Sequence, residues 1–195
     1  MLESLPDRTD ETILTGSLKV LLAPADNATK LTDLLKAFPD FSAVNYFDAR
    51  TGVPPLDTLK LYDVVLTWSF YPYKDAEDMG DVLADYVDQG GSVIMFPFSF
   101  YTDTFSLKGR IKEAAYSPFG GGGGGHWYPA DLGTHDDSHP FMEEITSVRD
   151  PYRDKDLTQN SGSTLVASWS DDELLAGVNG SGNVAVLNTY PGDSY

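Results

Sequence analysis

The sequence predicts an α/β protein, a three-layer sandwich with a mainly parallel central sheet and a C-terminal β-hairpin. Three observations lead there. Short, nearly continuous apolar runs such as Leu18-Lys19-Val20-Leu21-Leu22-Ala23 and Val93-Ile94-Met95-Phe96 are the mark of strands buried on both faces. Amphipathic helical segments separate these runs, as the crossovers between parallel strands require. Near the end of the chain, short strand-like runs flank Asn179-Gly180-Ser181-Gly182, a hairpin-type turn.

The elements follow in order. Residues 2–15 carry Pro6 and four acidic groups without apolar periodicity, so residues 1–16 read as a leader or linker arm before a single domain over 17–195. The strand over 18–23 ends at Pro24-Ala25-Asp26-Asn27, where Asp26-Asn27 reads as a helix cap. Leu31, Leu34, Leu35 and Phe38 recur at helical spacing and stop before Pro39. Residues 41–47 form the second predicted strand, Leu56 and Leu59 a half-turn, and residues 62–68 the third strand. A helix with Met79, Val82, Leu83 and Tyr86 on its apolar face ends at Gly90-Gly91, where glycine takes the left-handed C-cap, and the fourth strand follows at once. Residues 107–115 are compatible with a helix. The six glycines from Gly120 to Gly125 have no side chain to pack, which predicts a mobile loop unless something clamps it. Residues 164–169, 174–178 and 183–188 read as the closing strands.

Composition narrows the function classes. The 195 residues hold 30 Asp and Glu against 13 Lys and Arg, a net charge of −17, and this repels nucleic acid and anionic membrane surfaces. With no cysteine there is no disulfide framework, no thiolate metal site and no thiol nucleophile. No run approaches the ~18–20 apolar residues of a membrane helix, and the first residues lack the pattern of a signal peptide. An Asp-rich, cysteine-free surface suits an exported or cell-surface protein, whose carboxylates keep it hydrated.

Three stretches carry a family likeness. Tyr62-Asp63-Val64-Val65-Leu66 leads through Tyr86-Val87-Asp88-Gln89-Gly90-Gly91 into Ser92-Val93-Ile94-Met95; His139-Pro140-Phe141 precedes the final hairpin; Gly182-Asn183-Val184-Ala185-Val186-Leu187-Asn188-Thr189-Tyr190-Pro191 closes the chain. Together they resemble the class I glutamine amidotransferase-like domains, in particular non-catalytic relatives found in multidomain bacterial and archaeal surface proteins. The resemblance implies a nucleophilic cysteine on a glycine-flanked turn after the fourth strand, where this chain has Phe96-Pro97-Phe98-Ser99. It implies a His-Pro-Glu after the last core strand, where this chain has Tyr190-Pro191-Gly192. Nucleophile, base and orienting acid are thus all replaced. The family also implies a further helix beyond Pro191, so the domain reads as truncated at its C-terminal end.

Other residues are candidates for chemistry. Ser99 stands beside the former elbow as a substitute nucleophile, with an ordinary strand-end serine as the competing reading. His126, His135, Asp136 and His139 are candidate ligands for a divalent metal, zinc through the imidazoles or calcium through Asp131, Asp136 or Asp137. The competing reading is a solvated loop capped by its aspartates, with His139 structural before Pro140. Trp68, Tyr71, Tyr73, Phe98, Tyr101 and Trp127 are candidate ligand-stacking aromatics at the carboxyl edge of the sheet, or the packing that fills a vanished site. The leading expectation is a non-catalytic structural or interaction module of a larger exported or cell-surface protein. Its expected partners are neighbouring domains, subunits or copies of itself in an oligomer or filament. The alternatives are a hydrolase or carbohydrate-active domain rebuilt around Ser99, Asp103 and the histidines, and a metal- or ligand-binding module on residues 126–139.

Overall fold

A computed structural model describes residues 17–101, 104–125 and 127–194. The expected leader over 1–16, with Asp103 and His126, lies outside the described residues. Among the described residues, eleven strands and three α-helices run in the order β1 (Leu18–Leu22), α1 (Thr29–Lys36), β2 (Phe41–Tyr46), α2 (Leu56–Leu59), β3 (Val64–Thr67), α3 (Ala76–Asp88), β4 (Ser92–Met95), β5 (Phe119–Gly124), β6 (Ala130–His135), β7 (Arg149–Asp150), β8 (Lys155–Gln159), β9 (Thr164–Trp169), β10 (Leu174–Val178) and β11 (Val184–Leu187). Nine strands form one sheet in the order β2-β1-β3-β4-β11-β10-β9-β6-β7, and β5 pairs with β8 separately.

The sheet changes character at β11. From β2 to β11 every pairing is parallel, with Val20 opposite Val64, Val65 opposite Val93, and Val184 opposite Val93. Beyond β11 every pairing is antiparallel, and β10–β11 is the expected C-terminal hairpin. Its turn is tied by Asn179, whose side-chain oxygen accepts from the amides of Asn183 and Val184 at 3.1 Å each.

Side-chain alternation sends the parallel strands into two cores. Val20, Leu22, Val44 and Leu66 meet Leu31 and Leu35 of α1. Leu21, Val65, Val93, Met95, Val184 and Val186 cluster with Met79 and Leu83 of α3. Burial of this kind stabilises by about 1.5–3 kcal/mol per large side chain. The antiparallel half has a third cluster around Trp169, Val166, Leu175 and Met142. Of the four apolar positions predicted for the first helix, Leu31 and Leu35 pack, whereas Leu34 is 57% and Phe38 46% exposed.

α3 starts where Asp75 accepts hydrogen bonds from the amides of Glu77 and Asp78. It stops as expected at Gly90, whose φ of 91° a side chain would disfavour. Residues 107–115 form only a 3-10 turn, Arg110–Lys112, because Gly109 enters it at positive φ and Glu113 leaves it extended. The glycine run is corrected more strongly. Gly120 and Gly121 pair with Thr158 and Leu157, so most of the run is strand β5 clamped by β8. A side chain at Gly122 would place its Cβ 2.1 Å from the Phe100 carbonyl oxygen, and one at Gly125 2.6 Å from that of Arg153. Close backbone approach explains the glycines better than flexibility does.

Candidate functional site

The parallel strands β1, β3 and β4 end their carboxyl sides at one edge of the sheet, the edge where open α/β sheets place their sites. The chain leaves β1 through Ala23-Pro24-Ala25 and puts Asp26 there, fully buried. This corrects its assignment as a helix cap. Its carboxylate accepts from Trp68 Nε1 at 2.9 Å, from the Ser194 hydroxyl at 2.5 Å and from the Tyr190 phenol. The N-terminus of α1 is capped from elsewhere: Asn27 accepts from the Thr29 amide, and Asp193 accepts from the Lys30 amide at 2.9 Å.

Tyr190 is the hub of an aromatic cluster. Phe98 stacks on it at 5.8 Å, and Tyr152 and Phe70 stand 6.0 and 6.2 Å from it, tilted or edge-on. Burial, reinforced by the Asp26 carboxylate, raises the phenol's pKa far above the ordinary tyrosine range, so it is a permanent donor. Asp150 anchors this stretch of chain by accepting from the Thr189 hydroxyl and the Tyr190 amide.

Behind the turn that follows β4, a buried carboxyl and a half-buried amine flank the Ser99-Phe100 peptide. The Lys112 ammonium nitrogen donates to the Ser99 carbonyl at 2.6 Å and sits 3.5 Å from the centroid of the Phe100 ring. Asp154, 1% exposed, accepts from the Phe100 amide with Oδ2, while Oδ1 has no partner among the described residues. Burial pushes the Asp154 carboxyl up to about 7 and the Lys112 amine down to about 7, each partly offset by the attraction of the other.

No protein-family model matches the chain, and no curated protein matches it. Solved structures do. A cytoplasmic protein from Salmonella typhimurium LT2 aligns with a TM-score of 0.65 at 14% identity over 88% of each chain. A glutamine amidotransferase from Thermotoga maritima aligns at 0.58 and 14% identity over 89% of this chain and 76% of its own. A putative GMP synthase component from Thermoplasma acidophilum aligns at 0.56 and 11% over 91% and 85%. The chain has a glutamine amidotransferase-like fold.

In this amidotransferase-like fold the predicted site residues are distributed as follows. Ser99 is fully buried just after β4, and among the described residues no histidine is hydrogen-bonded to its hydroxyl. His135 uses Nδ1 on the Gly133 carbonyl at 2.8 Å and Nε2 on Asp137 at 3.0 Å. His139 accepts from the Phe141 amide, capping a 3-10 turn, and Asp136 caps Ser138. Among the described residues no three His, Asp or Glu side chains are grouped to hold a metal ion. Trp68, Tyr73 and Phe98 are buried rather than presented to solvent. Tyr101 packs against Phe98 and Phe105. Tyr71, under Arg50, and Trp127, edge-on to Tyr152, stay exposed.

The amidotransferase-like core also contains residues the sequence did not single out. Asp26 carried a local explanation as a cap, which concealed it. Lys112 and Asp154 are ordinary surface types in sequence, and only the packing of Phe100 between them makes them unusual. No helix among the described residues is long and apolar enough to cross a membrane.

Proposed function

We propose that this chain is a non-catalytic amidotransferase-like module of a larger exported or cell-surface protein or assembly, working through protein partners or copies of itself. One observation carries the proposal. Tyr190, where the resemblance implies the catalytic histidine, is committed to buried Asp26 and enclosed by Phe70, Phe98 and Tyr152. A phenol held protonated cannot act as the general base of acyl transfer. The turn after β4 offers Phe96-Pro97-Phe98 in place of a thiol and its glycines, so nucleophile and oxyanion donors are missing together. The strongly acidic surface supports a hydrated, exported setting.

The test has two measurements. Ammonia release from glutamine is expected to equal the protein-free blank; release that saturates with glutamine would overturn the non-catalytic half. Native mass measurement and crosslinking in the source organism are expected to find the chain within a larger protein or assembly. A free monomer there would overturn the module half.

A further inference from the structure

A cleft of about 420 Å³ opens on the far side of the Ser99-Phe100 peptide from Asp154, lined by Phe100, Tyr101, Ser106, Lys108, Lys112 and Gly122 among others. In a chain of net charge −17, the charged groups lining it among the described residues are two lysines. They differ in setting. Lys108 is exposed at the rim, whereas Lys112 is held at the wall by the Ser99 carbonyl and the face of Phe100. The volume falls within the range of small-molecule sites.

We infer that this cleft is a carbonyl-binding site in which Lys112 forms a reversible Schiff base with small aldehydes or 2-oxo acids, Lys108 meeting the ligand's anionic group. The Lys112 nitrogen lone pair attacks the carbonyl carbon, and the resulting carbinolamine loses water to leave a C=N bond. Both amine hydrogens depart with the former carbonyl oxygen, and no oxidant or reductant is consumed. The amine must be unprotonated to attack, and burial holds its pKa at about 7, the activation used by nucleophilic lysines. Asp154 opposes this shift from behind Phe100. The nearby carboxylates of α3, Asp81, Asp85 and Asp88, are engaged by Arg110, the first residue of the same 3-10 turn. The inference does not depend on the module proposal, since a Schiff base can retain a ligand without turnover.

Glyoxylate and cyanoborohydride, added in limiting amount near neutral pH, would convert any Schiff base into a stable secondary amine that peptide mapping locates. The other seven lysines of the chain serve as internal competitors. Lys112 is expected to be modified at least ~10-fold faster than exposed lysines such as Lys36 and Lys60. Equal rates would overturn the inference, and this comparison within the native protein needs no variant to fold. Lys108→Ala is expected to slow glyoxylate trapping at Lys112 while leaving trapping of uncharged acetaldehyde unchanged. If glyoxylate and acetaldehyde respond alike, the anion-binding role of Lys108 is wrong.

Discussion

The Tyr190 phenol donates its hydrogen to the carboxylate of Asp26 across 164 residues of sequence, joining the end of the first strand to the segment after the last. Trp68 and Ser194 donate to the same group, so a single buried carboxylate holds three parts of the chain. Tyr190→Phe removes one donor and is expected to cost about 1–3 kcal/mol. Asp26→Ala leaves three donors without an acceptor and is expected to cost more, about 3–5 kcal/mol. Urea unfolding of the two variants checks the order; equal losses would mean that Asp26 is not the organising group.

Asp154 makes a pH-dependent contribution. Its pKa in the folded chain is raised, so its favourable contribution is complete below the unfolded value near 3.8 and is lost as pH rises through about 7. Asp154→Asn keeps an acceptor for the Phe100 amide and cannot ionise. The variant is expected to gain on the wild type between pH 4 and 7, by at most about 4 kcal/mol. A stability difference that stays flat across that window would contradict the assignment.

Lys112 has the opposite sign. Its pKa is depressed, so its contribution is complete above the unfolded value near 10.5 and is lost as pH falls through about 7. Lys112→Met is expected to be the more stable protein below pH 7, by about 1–3 kcal/mol once the partial exposure of the side chain is allowed for. The advantage shrinks toward pH 10, where the lost bond to the Ser99 carbonyl remains. Chemical denaturation at the two extremes separates these cases.

The glycine strand gives a conformational test. At Gly122 a Cβ would meet both a φ of 99° and the Phe100 carbonyl, whereas at Gly182, with φ 77°, no described residue beyond its two chain neighbours comes within 4 Å of it. Gly122→Ala is expected to cost at least ~3 kcal/mol, and Gly182→Ala about 1 kcal/mol. Similar melting temperatures for the two variants would mean that β5 does not need its glycines.

The parallel half of the fold was legible because burial on both faces writes itself as continuous apolar runs, and Val20, Val65 and Val93 pair as those runs imply. The turn at residues 179–182 was legible for a local reason, its own side chain closing it. β5 was not, since Gly120 to Gly124 are strand by virtue of a partner more than thirty residues away and the Phe100 carbonyl beside them. Propensity cannot register either contact. That Phe96-Pro97-Phe98 and Tyr190-Pro191-Gly192 stand where the family resemblance implies a cysteine and a His-Pro-Glu was visible residue by residue. The bond between Asp26 and Tyr190 was not, because the two are 164 residues apart in sequence.

β11 is the last of the described strands in sequence, yet it lies in the interior of the sheet between β4 and β10. During synthesis, the exposed flank of β4 must wait about ninety residues for its neighbour, and β10 has no link to the parallel strands until then. Such non-local closure slows folding and leaves two open strand edges on the nascent chain. Cooperative assembly of this protein is therefore gated by the arrival of β11, and premature termination upstream of Val184 would release a sticky half-sheet rather than a smaller stable domain.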